Sequence, residues 1–349
     1  MSQTNVRRIC SVVAGIVLTC LTASTAETDN AKRVVTVMTR NMDAGTDLNL
    51  IFALYPDIQA GVTATIEEVI ATDVPGRAAR LADEIRTTHP DLIALQEVTE
   101  WRQGQCGATT LLYDQLQLLM DSLAARRMRY KVLAVQSVAA IEAPAETGCV
   151  KMVDRNAILV TADERAAGIE IDNIQSVLYA TTLDLSKLGF SGFPLIYHGY
   201  LTADVQAGSE KFLFVNTHLD SVYPFDPLGS LQVAEAAELV TALAASPLPV
   251  VLCGDFNSNA ETGPEQTATV GMILNIGFTD VWREFNPVGT GYTWPLYSED
   301  PLGEPRVPIE RIDLIFTRGV RALKVVETGL AAPWASDHAG VVSMLQSGK

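Results

Sequence analysis

Five segments of this sequence share one pattern: an apolar run stops abruptly in acids, amides or a histidine. Val34–Thr39 ends in Arg40-Asn41-Met42-Asp43, and Leu92-Ile93-Ala94-Leu95 in Gln96-Glu97. Phe212-Leu213-Phe214-Val215 ends in Asn216-Thr217-His218-Leu219-Asp220, and Val250–Cys253 in Gly254-Asp255-Phe256-Asn257. In the fifth, Ser336-Asp337-His338 lies between Leu330-Ala331-Ala332 and the apolar Gly340-Val341-Val342. One such ending is what any capped strand end looks like. Five together imply buried strands that deliver their last residues to a common rim of a sheet. Acids gathered at one rim repel one another unless a cation sits among them, so the grouping points to a divalent-metal site.

The elements that must carry these residues follow from the hydrophobic patterning. Short apolar runs alternate with helical patterns, which indicates a mixed α/β chain. Val34–Thr39, Leu92–Gln96, Lys131–Val135, Ala157–Val160, Phe212–Thr217, Val250–Cys253 and Ile312–Phe316 are expected as strands. Arg77–Arg86, Leu111–Ala125 and Leu231–Ala245 are expected as helices. Ala78, Leu81, Ala82 and Ile85 give the first of these an apolar face at helical spacing. Pro90 and Pro247-Leu248-Pro249 stop the first and third just before strands. Ala207-Gly208-Ser209-Glu210 reads as the turn of a hairpin joining Tyr197–Val205 to Lys211–Thr217. Thr181–Tyr197, apolar and without helical period, reads as a partly buried hairpin strand, with a lipid- or substrate-facing loop as its alternative. Neither repeats nor linkers interrupt the chain, so one domain over 27–349 is expected.

Ahead of it, Arg7 and Arg8 precede an apolar run from Ile9 to Leu21 and the small residues of Thr22-Ala23-Ser24-Thr25-Ala26. That order is a signal peptide, residues 1–26, which places the mature chain in a periplasm or outside the cell; the Sec and twin-arginine routes both stay open. The chain carries 41 acidic against 25 basic side chains, a net charge of −16. So acidic a surface has no basic field for gripping nucleic acid or anionic membrane broadly. A local metal site is compatible with it. Of the five cysteines, Cys10 and Cys20 belong to the leader, and Cys253 sits in an apolar run as an inert thiol. Cys106 and Cys149, in polar, Gly-containing segments, are the expected disulfide of an oxidising compartment.

Leu95-Gln96-Glu97-Val98, Asn216-Thr217-His218-Leu219, Gly254-Asp255-Phe256-Asn257-Ser258, Arg311-Ile312-Asp313-Leu314-Ile315-Phe316 and Ser336-Asp337-His338 resemble the successive motifs of the endonuclease/exonuclease/phosphatase superfamily. They fall in the family's order and span nearly the whole mature chain. Each is short, but the ordered set is specific. The resemblance implies a four-layer α-β-β-α sandwich, two mixed sheets face to face with helices outside. It also implies a hydrolase of phosphodiester or phosphate-ester substrates that uses Mg²⁺ or Mn²⁺.

The family's roles carry over residue by residue. Glu97 matches its principal metal-binding glutamate, with Asn41 and Asp337 as companions and Asp43 as a further acid. His338 is expected beside the scissile phosphate with Asp313 holding its ring, the logic of a hydrolase triad. Asp255 is expected to orient or deprotonate the attacking water, and Asn257 to bind a phosphate oxygen. His218 matches a histidine that contacts phosphate or assists the leaving group. In Asp154-Arg155-Asn156-Ala157-Ile158-Leu159, Arg155 or Asn156 is a candidate phosphate contact. Among the other candidates, His89 reads as a helix-end residue, His198 as packing or a phosphate contact, and Trp294 as core. Departures from the better-known branches bear on substrate: there is no Lys/Arg run for a DNA backbone and no unmistakable aromatic membrane hairpin. A monomeric nuclease is the leading expectation, ahead of a phospholipid- or sphingomyelin-type or small-ester hydrolase. A non-catalytic binding module that kept the fold is the rival from another class; such a module has no use for His338 paired with Asp313.

Overall fold

The computed structural model describes residues 33–46, 48–162, 168–188, 194–297 and 305–347. In chain order the strands are β1 (Val34–Asn41), β2 (Leu92–Gln96), β3 (Glu100–Gln105), β4 (Ala108–Asp114), β5 (Tyr130–Pro144), β6 (Cys149–Thr161), β7 (Ile169–Leu183), β8 (Ile196–Ala207), β9 (Glu210–His218), β10 (Val250–Asp255), β11 (Thr279–Asp280), β12 (Asp313–Arg318), β13 (Val320–Thr328) and β14 (Gly340–Ser347). The helices are α1 (Asn49–Ala53), α2 (Ile58–Ala71), α3 (Val74–Thr88), α4 (Gln115–Ala125), α5 (Ser230–Ala244), α6 (Thr269–Asn275) and α7 (Val281–Phe285).

The strands form two mixed sheets. One is ordered β13-β14-β1-β2-β6-β3-β4, with β5 also on β6; the other is β11-β12-β10-β9-β8-β7. Strand alternation sorts their side chains into layers. Val35 and Val37 of β1, Leu92 and Ala94 of β2, and Ile158 and Val160 of β6 meet Phe212 and Phe214 of β9, Val251 and Cys253 of β10, and Ile315 of β12 between the sheets. The opposite parity, Met38, Ile93, Leu95 and Leu159, packs against Leu81 and Ile85 of α3 and Leu119 and Leu123 of α4. On the far side, Val250, Leu252, Leu314 and Phe316 pack against Leu239 and Leu243 of α5 and Ile273 of α6. The expected four-layer sandwich is therefore present.

Continuing the inward-facing row of each strand by two or four residues reaches the site. After Val37 come Thr39 and Asn41; after Ala94, Gln96; after Phe214, Asn216 and His218; after Cys253, Asp255; and before Ile315, Asp313. The polar rim is thus the open end of the inter-sheet core, on the same parity as the residues that fill it.

Several expected elements shift. Residues 111–114 belong to β4, paired Arg102↔Leu111 with β3, and the expected Leu111–Ala125 helix begins only at Gln115. Asp114 stops the strand and caps the helix by accepting from Leu116 N and Gln117 N. Thr181–Tyr197 is not one hairpin strand: β7 ends at Leu183, a 3₁₀ turn covers Leu185–Leu188, and β8 starts at Ile196. Its Gly189-Phe190-Ser191-Gly192-Phe193 portion lies outside the described residues. The signal-peptide boundary at Ala26 lies outside them too.

Cys106 and Cys149 form a disulfide with a Cα–Cα distance of 4.9 Å and a sequence separation of 43. It joins the outer ends of β3 and β6, which pair as far as Gly104↔Cys149. Cys253 is a free, buried cysteine, and burial pushes its thiol pKa far up, out of reactive range. Replacing both Cys106 and Cys149 with serine is expected to lower stability by about 2–4 kcal/mol through freedom returned to the unfolded chain. Urea unfolding of the two forms checks this, and coincident midpoints would refute it.

Candidate active site

Hydrogen-bonded registry brings the first group together. Across three neighbouring strands, Asp255 of β10 pairs in register with His218 of β9 on one side and Asp313 of β12 on the other. All three are buried, as is His338. His338 follows Ser336, whose hydroxyl accepts from the His338 backbone N–H at 3.1 Å. Its Nδ1 lies 2.9 Å from Asp313 Oδ2 and 3.7 Å from Asp255 Oδ2. Asp313 is itself fixed by Thr293, whose Oγ1 accepts from the N–H groups of Ile312 and Asp313 at 3.2 Å. Burial disfavours a charged imidazole here, but Asp313, Asp337 and Asp255 outweigh it and raise the His338 pKa well above histidine's usual value. This favours the protonated ring, with Asp313 on Nδ1 and Asp337 Oδ1 3.9 Å from Nε2.

The opposite sheet supplies the second group. Asn41 and Gln96 pair in register at the ends of β1 and β2, and Glu97 follows directly. The Asn41 amide donates to Glu97 Oε1 at 2.8 Å and to Asp255 Oδ2 at 2.9 Å, which ties the two sheets together at the site. Its Oδ1 accepts from Asp43 N at 2.8 Å. As placed, Asn41 orients two carboxylates rather than turning its oxygen to a cation. Glu97 Oε2 accepts from Ala44 N at 2.7 Å. Glu97, Asp43 and Asn257 all have left-handed backbones, with φ of 52°, 59° and 46°. Side-chain-bearing residues pay of order 1–3 kcal/mol for that conformation, which is characteristic of functional sites.

Asn257 N donates to Asp255 Oδ1 at 2.9 Å, and its amide lies 3.2 Å from His218 Nε2. Asp337 reaches the rim from the other flank, where Trp294 Nε1 donates to its Oδ2 at 2.8 Å. Burial, then the charges of Asp43 and Glu97, push the Asp337 pKa up to about 7. A carboxyl that resists ionisation among other acids is what a cation would relieve, and Glu97, Asp255 and His338 offer ligand atoms within 4.8 Å of one another. Glu97 and Asp337 are both half-buried at the rim.

Two expected contacts sit elsewhere. Asp43 is fully engaged: its Oδ2 receives Arg77 Nη1 at 2.6 Å and the Tyr297 hydroxyl at 2.5 Å, and its Oδ1 accepts from Gly45 N at 2.5 Å. It anchors the loop behind the site instead of presenting an oxygen to a metal. Arg155, expected as a phosphate contact, has the outward parity of β6. It donates through Nε to Val98 O at 2.7 Å and through Nη2 to Asp114 at 2.6 Å. Asn156 does lie on the inward row, buried, with its amide 3.4 Å from Gln136 Oε1.

Sequence reading missed Arg77, Tyr297 and the role of Trp294. Arg77 sits on the apolar face of α3, where an arginine at core spacing is the signal of a buried acid partner. Asp154 was also missed; loss of water pushes its pKa up to about 7, against the pull of neighbouring His218.

With this geometry in hand, relatives can be compared. Residues 68–338 match the profile of the Endonuclease/Exonuclease/phosphatase family. The chain belongs to this family. Members of the endonuclease/exonuclease/phosphatase family are in general metal-dependent hydrolases of phosphoester bonds. In fold, the chain is similar to an endonuclease/exonuclease/phosphatase from Beutenbergia cavernae (TM-score 0.58, 22% identity, 91% of this chain and 72% of that one). It is likewise similar to a family protein from Leptotrichia buccalis (TM-score 0.56, 14% identity, 89% and 99%). A third similar structure is D. rerio TDP2 complexed with a single-strand DNA product (TM-score 0.52, 16% identity, 89% and 98%). No curated protein is significantly similar to the chain in sequence.

Proposed function

We propose that this protein is an exported phosphodiesterase that uses Mg²⁺ or Mn²⁺ and a water activated on the Asp255–His338 network. The single observation that carries this reading is the in-register row His218–Asp255–Asp313 with His338 bonded to Asp313 at 2.9 Å, facing Glu97 across the gap between sheets. When bound at Glu97 and Asp337, a divalent cation supplies charge neutralisation at a non-bridging phosphate oxygen. The protein's own groups do the rest. Asp255, held by Asn41 and by Asn257 N, accepts the proton of the attacking water. The His338 imidazolium, fixed by Asp313, donates a hydrogen bond from Nε2 to the phosphate as negative charge grows there. Asn257 and His218 line the opposite side and orient the leaving oxygen.

For the substrate, we favour nucleic acid slightly. Its support is the general phosphodiester geometry of the site and the DNA product seen in the similar D. rerio structure. Against it stands the net charge of −16, so the grip on a polyanion is expected to be weak and steeply salt-dependent. One observation favours an ester with an apolar substituent instead: a cavity lined by Leu48, Ile51, Val62, Trp101, Met152 and Ile196. Its Trp101 is linked to the site through the loop: Trp101 Nε1 donates to the carbonyl of Ala44, whose N–H holds Glu97. The disulfide and the leader support export.

The deciding experiment presents plasmid DNA, RNA, sphingomyelin vesicles, inositol phosphates and nucleotide esters side by side with Mg²⁺. Rapid turnover of another ester with DNA and RNA intact would reject the nuclease reading. Exhaustive chelation is expected to abolish turnover of a chromogenic phosphodiester and Mn²⁺ or Mg²⁺ to restore it. Full activity in the chelated enzyme would reject the metal-dependent mechanism.

A further inference from the structure

Three side chains that this reaction does not use point at one another behind the rim. His198 comes from β8, Asp220 from just after β9, and Glu235 from the first half of α5. All are buried, at 8%, 1% and 1% exposure. His198 Nδ1 lies 3.6 Å from Glu235 Oε1 and 4.0 Å from Asp220 Oδ2, too far for hydrogen bonds. Two of these facing atoms, His198 Nδ1 and Asp220 Oδ2, have no hydrogen-bond partner among the described residues. Buried polar atoms are nearly always satisfied, so a facing pair of orphans marks a place built for something else.

The rest of the cluster is arranged to hold those atoms in place. Asp220 Oδ1 accepts from the Tyr223 hydroxyl at 2.6 Å and from Ser221 N at 3.0 Å. Glu235 Oε2 accepts from Asp220 N at 2.7 Å, and Gln232 Nε2 donates to the Asp220 carbonyl at 3.0 Å. Each carboxylate is thus pinned through one oxygen while the other faces the histidine. Outer-shell hydrogen bonds do this at metal centres, where they fix the ligand's direction before the ion arrives.

We propose that His198, Asp220 and Glu235 bind a second divalent cation of the Zn²⁺/Mn²⁺ class, separate from the ion at Glu97 and Asp337. Their ligand atoms lie within 4.8 Å of one another. Donors each about 2.0–2.2 Å from one ion sit roughly 3–4 Å apart, and His198 Nδ1 lies 4.0 and 3.6 Å from the two carboxylates before any adjustment. One imidazole with two carboxylates suits a borderline ion better than Mg²⁺ or Ca²⁺, which favour oxygen alone. The His198 ring stands edge-on to His218, with centroids 5.2 Å apart. An ion there therefore clamps β8, the Leu219–Asp220 loop and α5 around the active-site histidine without touching substrate. Its role is to position.

The test removes the first site and asks whether a metal stays. In the full-chain Glu97→Gln/Asp337→Asn variant, equilibrated with Zn²⁺ and then dialysed, we expect one zinc per chain by elemental analysis. Adding His198→Ala or, separately, Glu235→Gln is expected to weaken zinc retention at least tenfold against a competing chelator, with circular dichroism confirming the fold. No zinc in the starting variant overturns the proposal, as does retention unchanged by both substitutions. Independently of any substitution, zinc-edge anomalous diffraction from crystals of the unaltered protein is expected to show a peak between the three side chains. A water there, with no anomalous signal, also overturns it.

Discussion

Replacing His338 with alanine is expected to lower turnover of any accepted phosphodiester by about 10²–10⁴-fold while leaving the fold intact. The side chain lies at the rim, supports no core cluster, and touches Asp313, Asp255 and Asp337, so its loss removes charge from the reacting centre rather than packing. Asp313 acts through it. The Asp313 carboxylate accepts from Nδ1 at 2.9 Å, and no other side chain is hydrogen-bonded to its Oδ2 among the described residues. Asp313→Asn is therefore expected to cost much of the same factor, and the double variant little more than His338→Ala alone, the non-additivity of groups that work as a unit. Strictly additive losses would show that Asp313 serves something other than His338. A pH profile separates the roles further. Asp313 is the foremost charge raising the His338 pKa, so the loss of activity on the alkaline side should move to lower pH in Asp313→Asn.

The site was largely legible because strand alternation is rigid. Once Phe214 and Cys253 are recognised as core, the same parity carries Asn216, His218 and Asp255 to the inside. What escaped notice did so for physical reasons. The strand β5 bulges between Val132 and Ala134 and again between Ser137 and Ala139, so its alternation is broken and only Lys131–Val135 was readable. The helix α2 buries Gly61, Val62, Thr65, Ile66 and Val69, a face too rich in small and β-branched residues to read as helical. The partners of Asp43 were unreadable for a different reason. Its position two residues after Asn41 suggested a ligand, but its fate depends on Arg77 and Tyr297, 34 and 254 residues away in the chain. Partners supplied by remote elements leave no local trace.

Arg77 is the residue whose replacement is expected to cost the most stability. It is 2% exposed, its Nη1 lies 2.6 Å from Asp43 Oδ2, and its Nη2 donates to the carbonyls of Met42 at 2.9 Å and Asp43 at 2.5 Å. Every one of these contacts holds the loop that places Ala44 N on Glu97. Burial lowers the guanidinium pKa, but Asp43, Tyr297 and Asp337 outweigh it and raise it above the usual arginine value. Arg77→Met keeps the length and apolar stem but strands the buried Asp43 carboxylate beside Asp337. Removing one partner of a buried pair typically costs about 3–5 kcal/mol, because the other charge stays behind unsolvated. Urea unfolding should show that loss as a lower midpoint at unchanged slope. Adding Asp43→Asn is expected to restore much of it, since the stranded charge is then gone while the Gly45 N–H keeps its acceptor. If Arg77→Met lies within about 1 kcal/mol of the parent, the buried pair is not what holds the loop. If instead Asp43→Asn deepens the loss, the damage comes from Arg77's bonds to the backbone rather than from the uncompensated acid.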